Sequence, residues 1–239
     1  MKKTICILGV LIVVLLLSVG IFKREASKSE TELETEEIQD IEEDLDWISQ
    51  LEIAQCENQI LVVSTDGINA DVSLHTKNVD GIWEEVLTTK ANIGKNGVGK
   101  TKEGDGKTPT GIYHFTFGFG IKDNPGLSYE YVQVDDSYYW VDDSSSEYYN
   151  QFVSTNEVSK DWKSAEHILA EGESYHYVLA TDYNIECVPG VGSAIFMHCF
   201  PTGGAGCIAV SEEAMIEIMQ IIQKDCVIII DEASKICTY

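Results

Sequence analysis

From Gln59 onward the chain breaks into short apolar and β-branched runs separated by glycine, aspartate and asparagine, and this spacing restricts it to a mainly β fold. Ile60-Leu61-Val62-Val63 is the first run. Ala70-Asp71-Val72-Ser73-Leu74-His75 alternates apolar with polar residues, the pattern of a strand with one buried face. Asn78-Val79-Asp80-Gly81 supplies a turn before the next run, Trp83–Leu87. Further strands are predicted at Gly111–Phe117, Tyr129–Val134, Tyr175–Thr181, Ser193–Met197 and Cys226–Ile230. Two helices interrupt them. One is predicted over Asp161–Leu169, with Ala165, Ile168 and Leu169 on one face. The other starts after Ser211, a good cap, with Glu212 and Glu213 suited to its positive N-terminal end and Lys224 to the other. Met215, Ile218 and Ile222 make its buried stripe. The expected fold is mainly β with two or three short helices.

The chain has 239 residues, enough for one good-sized domain with extensions. Its net charge of −24 disfavours nucleic acid as a partner, since a basic footprint is missing. The N-terminal extension reads as a membrane anchor or signal segment over residues 1–24. Lys2 and Lys3 precede an uncharged apolar run, Ile5 to Phe22, and Lys23-Arg24 follow it. That run sits at the short end of the ~17–25 residues of a helical span. Residues 25–57 read as an acidic linker or stalk. Ile38, Ile41, Leu45 and Ile48 recur there at helical spacing, so a short stalk helix and a flexible tether both fit. Residues 58–239 then form the folded domain. None of the seven cysteines has the close spacing of a zinc knuckle, so no structural metal is expected, and disulfide pairing cannot be read from spacing.

The chemistry is concentrated in Met197-His198-Cys199-Phe200-Pro201-Thr202-Gly203-Gly204-Ala205-Gly206-Cys207-Ile208. Cys207 follows a loop with few side chains, so the backbone N–H groups of Gly206 and Cys207 are free to turn toward a carbonyl and stabilise an oxyanion. A thiol near its free pKa of ~8.5 is mostly protonated at neutral pH, and a neighbouring imidazole can take its proton. His198, at the end of the apolar run Ala194–Met197, is the candidate base. A helix beginning near Ser211 would favour the thiolate if its N-terminus faced the sulfur. On spacing alone, a Cys and a His nine residues apart are more often a buried thiol and an ordinary structural histidine.

This segment resembles the catalytic domain of the L,D-transpeptidases, the YkuD-type family of peptidoglycan enzymes. Two further stretches carry the resemblance. One is the glycine- and lysine-rich run from Ile93-Gly94-Lys95 to Thr108-Pro109-Thr110-Gly111. The other is Tyr139-Trp140-Val141-Asp142-Asp143 with Tyr148-Tyr149-Asn150. The resemblance implies a β-sandwich-like domain with Cys207 as nucleophile and His198 as general base and acid, needing no cofactor and no metal. Its substrate would be a peptidoglycan stem peptide. Cys207 would release D-alanine and form a thioester, and a neighbouring stem's amine would resolve it into a cross-link. Water in place of the amine would make it an L,D-carboxypeptidase. It further implies a cell-membrane protein held by residues 1–24 with the domain on the wall side, or a secreted one. The sequence departs from the family pattern at Gly204 and Ala205, where Ser or Thr and His are usual, and at Ala209, where Asn or Arg is usual. The departures keep a third reading open, a catalytically silent wall-binding protein.

Trp140, Tyr149, Thr202, Gly203 and Gly204 are candidates for substrate contact, the aromatics through large contact area at low entropic cost. Core packing is the competing role for Trp140 and Tyr149. Lys90, Lys95, Lys100, Lys102 and Lys107 would either steer anionic wall peptides or form a solvated loop. His75, His114, His167 and His176 read as structural or surface residues.

Overall fold

The structure, a computed structural model, describes residues 47–200 and 204–239. The predicted anchor, most of the acidic stalk, Thr202 and Gly203 lie outside the described residues. Among the described residues no helix is long and apolar enough to cross a membrane.

Twelve strands form among these residues, in the order β1 (Gln59–Asp66), β2 (Asn69–Lys77), β3 (Trp83–Asn92), β4 (Gly111–Gly120), β5 (Tyr131–Gln133), β6 (Tyr138–Val141), β7 (Phe152–Ser154), β8 (Ala165–His167), β9 (Val178–Thr181), β10 (Phe196–Cys199), β11 (Ile208–Val210) and β12 (Val227–Glu232). The main sheet runs β12-β1-β2-β3-β11-β10-β9-β4-β5. It closes on itself, because Gly111 to His114 of β4 also pair with β12. The sandwich-like layers are thus opposite walls of one wrapped sheet, with only the short β5 left at an edge. A second sheet, β7-β6-β8, stands apart from it.

The single α-helix among the described residues, α1 (Glu212–Ile221), behaves as its sequence predicts. Ser211 accepts a hydrogen bond from the Ala214 amide at 3.2 Å and caps it. Met215, Ile218 and Met219 are fully buried. Each such side chain contributes about 1.5–3 kcal/mol by leaving water. They pack with Leu61, Val72, Leu74, Met197, Ile208, Ile228 and Ile230 in the larger core. A second core, rich in aromatics, gathers Phe119, Trp140, Ile168, Tyr175, Phe196 and Cys207.

The helix predicted over Asp161–Leu169 does not form. Ala165–His167 is strand β8, paired with β6 through Val141–Ala165, Trp140–Glu166 and Tyr139–His167. Ile168–Tyr175 is a 3-10 turn, broken at Gly172 where φ is +60°. The apolar spacing is real, but Ile168 is held in the aromatic core and Trp162 is buried against Tyr139, so packing overrides the helical period. Residues 48–57, placed in the tether by composition, carry three buried side chains, Ile48, Leu51 and Ala54. The amide of Glu52 donates to the Tyr239 carbonyl at 2.7 Å, tying this segment to the C-terminal turn.

Replacing Ser211 by alanine removes the cap of α1 and is expected to lower stability by about 1 kcal/mol. Urea unfolding of the two proteins checks this; equal midpoints would mean the cap contributes nothing.

Candidate active site

Strand pairing brings the predicted dyad together. β10 and β11 run parallel, with Met197 opposite Ile208 and His198 opposite Ala209. One step earlier, Cys207 lies across from Phe196, whose amide N–H points at Cys207 Sγ, 3.4 Å away. Side chains alternate across a strand. Met197, Cys199, Ile208 and Val210 therefore enter the larger core, while Phe196 and Cys207 enter the aromatic one. By the same alternation His198 shares the face of Phe196, so His198 and Cys207 are diagonal neighbours on one side of the parallel pair.

They do not hydrogen-bond each other at rest. His198 Nδ1 lies 2.7 Å from the Cys199 carbonyl oxygen. A carbonyl only accepts, so Nδ1 carries the ring proton and Nε2 keeps its lone pair, the tautomer a base needs. The Cys207 thiol donates to the Ala194 carbonyl at 3.1 Å. Only 3% of His198 and 5% of Cys207 is exposed. Burial pushes the Cys207 thiol up to about 12, reinforced by the Glu166 carboxylate. Burial also holds the His198 imidazolium down to about 4, against the pull of its carbonyl bond. The resting pair is a neutral thiol and a neutral imidazole. The expected help from α1 is not realised. α1 packs on the larger core, while Cys207 lies in the other one across the sheet.

The loop before Cys207 is fixed from below by the glycine- and lysine-rich segment. Gly206 has φ of +144°, and a Cβ there would come within 2.6 Å of the Lys107 carbonyl oxygen. Its own carbonyl accepts from buried Thr108 Oγ1 at 2.7 Å. In a trans peptide the N–H opposes the C=O, so the Cys207 N–H points away from Thr108. The Gly204 carbonyl accepts from the Lys95 amide at 3.1 Å. Within the segment, the Asp105 carboxylate accepts the amides of Thr101, Lys102 and Lys107 and pairs with Lys100 Nζ at 3.1 Å. Those contacts outweigh its desolvation and bring its carboxyl down to about 2. Lys100 is thus buried in an ion pair, while Lys90 pairs with Asp71 on the surface.

The other proposed contact residues divide. Tyr149 is buried, its hydroxyl donating to Glu103 Oε2 at 2.6 Å and accepting from the Gly192 amide at 3.1 Å. Trp140 is also buried. Its Nε1–H donates to Asn150 Oδ1 at 3.0 Å, and that oxygen also accepts the Ala194 amide at 3.1 Å. Its ring meets Phe196 edge-on at 4.6 Å and forms one wall of a cavity of about 470 Å³. Packing is therefore the observed role of Tyr149, and Trp140 combines it with a cavity wall. Gly204 is exposed on the loop. The remaining histidines have other partners: His114 faces Asp182, His167 stacks on Tyr139, and His176 pairs with Glu212. Sequence reasoning missed Tyr175 and Glu166. The Tyr175 ring meets His198 edge-on at 5.3 Å, and its hydroxyl donates to Glu166 Oε2 at 2.5 Å. Glu166 lies in the segment expected to be helical, and Tyr175 at the start of an expected strand.

The family model for YkuD, the L,D-transpeptidase catalytic domain, matches residues 68–230, well over half of the chain. No curated protein matches the chain significantly. Three similar solved structures have been identified. The helical cell shape determining protein Pgp2 from Campylobacter jejuni is 18% identical at a TM-score of 0.41, with 78% of this chain and 54% of that one covered. An L,D-transpeptidase from Mycobacterium smegmatis is 16% identical at a TM-score of 0.34, with 73% and 58% covered. L,D-transpeptidase 1 from Mycobacterium tuberculosis is 16% identical at a TM-score of 0.33, with 72% and 61% covered. The chain thus spans 54% to 61% of the length of these structures.

Two predictions follow from the geometry of the dyad and its loop. Gly206→Ala forces a Cβ against the Lys107 backbone and should displace the Cys207 loop, which a loss of Cys207 labelling by an active-site acylating reagent would reveal. Unaltered labelling would mean that the Lys107 contact does not fix the loop. The second concerns pH. Unfolded, His198 titrates near 6.5; folded, it titrates near 4, so unfolding between those values takes up a proton. Its contribution is present in full above 6.5 and falls by up to about 3 kcal/mol as pH drops through the window. His198→Gln should flatten that part of the stability profile relative to wild type. Parallel profiles would refute the assigned neutral, buried state.

Proposed function

We infer that this chain, which belongs to the YkuD family of L,D-transpeptidase catalytic domains, is a cysteine-dependent transpeptidase acting on peptidoglycan stem peptides. The observation that carries this reading is the placing of His198 and Cys207 on one face of β10–β11, with the Cys199 carbonyl holding the ring in its basic tautomer. Proton transfer between the resting partners is unfavourable, because burial disfavours both resulting charges. It is therefore coupled to bond formation. As Cys207 Sγ leaves the Ala194 carbonyl and attacks the carbonyl of the bond to D-alanine, its proton passes to His198 Nε2. The Gly206 and Cys207 N–H groups stabilise the developing oxyanion. Collapse expels D-alanine, whose amine takes the proton from His198, and leaves a thioester on Cys207. An amine of a neighbouring stem attacks that thioester, forms the cross-link and returns the thiol. Residues 1–24 anchor the protein in the cell membrane with the catalytic domain on the wall side.

The resting hydrogen bond of the thiol to Ala194, with none to His198, favours a second reading, a silent wall-binding protein. Incubating the full chain with disaccharide-tetrapeptide decides between them. Mass spectrometry should show D-alanine release with dimer formation by wild type, and neither product by Cys207→Ala. D-alanine with only monomeric tripeptide product supports the carboxypeptidase, and no product supports the silent protein.

A further inference from the structure

We propose that Glu166 is the proton acceptor for the incoming amine in the second half-reaction, and that its carboxylate selects a cationic, amine-bearing stem over water. The inference rests on the transpeptidase reading.

Two independent contacts link Glu166 to the dyad through intervening side chains, and its charge is felt at Cys207. Its Oε2 accepts from the Tyr175 hydroxyl at 2.5 Å, and the Tyr175 ring meets both His198 at 5.3 Å and Phe196 at 6.0 Å. On the other side, β8 places Glu166 opposite Trp140, whose ring abuts Phe196, the residue whose amide points at the nucleophilic sulfur. Among the described residues the carboxylate has no ion-pair partner. The residue as a whole is half-buried, while its carboxyl end is the buried part. A carboxylate in that position wants a cation, and the proposed function supplies one, since an acceptor amine arrives as an ammonium.

The protonation state fits the task. Burial lifts the Glu166 carboxyl to about 7, against the opposing hydrogen bond from Tyr175. The ionisable groups facing it are Tyr175 and Glu171 of the 3-10 turn, Asp142 after β6, Glu103 of the glycine- and lysine-rich segment, and Cys207. The three carboxylates among them raise it further. It is therefore partly ionised at neutral pH and able to accept a proton from an ammonium that it holds.

The step balances as follows. The ammonium gives one proton to the Glu166 carboxylate and becomes a neutral amine. Its nitrogen attacks the thioester carbonyl, the C–N bond forms, and the C–S bond breaks. The second proton lost by nitrogen passes through His198 to the departing sulfur, restoring the Cys207 thiol. Glu166 then returns its proton to solvent. Water is neutral and gains no ion pair from the carboxylate, so it is not concentrated there as an ammonium is.

The test uses Glu166→Gln in the full chain with disaccharide-tetrapeptide, reading the ratio of cross-linked dimer to hydrolysed monomer. Acylation of Cys207 by a carbapenem, read by intact mass, shows for each variant that the fold and the first half-reaction survive. The expected result is normal acylation with the dimer-to-monomer ratio down about a hundredfold, the scale of a lost general base. Glu166→Asp should restore part of the ratio. Tyr175→Phe keeps the carboxylate and the ring, and should change the ratio far less. An unchanged ratio in Glu166→Gln, loss of its acylation, or the same fall in Tyr175→Phe overturns the assignment. Wild-type chain that is acylated but only hydrolyses overturns it too. Wild type that is not acylated overturns the transpeptidase reading itself, a distinct outcome.

Discussion

The site depends on a parallel strand pair joined by a very short connection. β10 ends at Cys199 and β11 begins at Ile208, so eight residues carry the chain back to lie beside itself. Parallel neighbours generally need a dozen or more. The short loop suffices because the strands are only four and three residues long, and because Gly206 takes a positive φ where a Cβ would clash. The cost is that the loop cannot fold on its own terms. Gly206 sits at φ +144° with its carbonyl pinned by Thr108. The same Thr108 hydroxyl accepts the Gly94 amide at 2.9 Å, and a Cβ on Gly94 would meet the Gly106 carbonyl at 2.5 Å. The glycine- and lysine-rich segment is thus the platform on which the nucleophile's loop is cast, which gives the glycines there a geometric reason.

The same pairing decides the electrostatics. Every residue of β10 is buried, with one face in an aliphatic core and the other in an aromatic one. A base mounted there cannot carry charge cheaply, and neither can the thiol across from Phe196. The pair is consequently stored neutral, and on the proposed function the charge-separated state is created with substrate in place. Tyr175, Phe196 and Trp140 exclude water from the aromatic side. That exclusion strengthens every dipole aimed at the reacting carbonyl.

Much of this was legible in the sequence. Strands β1 to β5, β9, β10 and β12 follow from short apolar or alternating runs and turn residues, and α1 follows from Ser211 and the Met215–Ile218 stripe. His198 and Cys207 are singled out by the loop and its resemblance to a family, and the strand pairing sets them on one face. What was hidden depended on long-range packing. Short strands such as β6, β7 and β8 have three or four residues, too few to show a period. The spacing of Ala165, Ile168 and Leu169 suits a helix equally well, and only the ladder to β6 and the contacts of Ile168 decide against one. Glu166 lies on that misread stretch, and Tyr175, expected to open a strand, ends the 3-10 turn instead, so their nearness to the dyad was hidden. Lys100 reads as one of several surface lysines, and only the fold turns it onto Asp105.

The orientation of the His198 ring has a related explanation. The next residue is Cys199, whose side chain points into the larger core. The orienting group is its backbone carbonyl. Any residue at that position supplies a carbonyl, so the requirement leaves no mark on the sequence. What must be conserved instead is the path of the backbone just beyond His198, which the Phe200 amide fixes by donating to the Val210 carbonyl at 2.7 Å. The ring is therefore oriented by the same β10–β11 pairing that positions the sulfur. The basic tautomer of His198 thus needs no orienting side chain, because strand geometry supplies the carbonyl that fixes it.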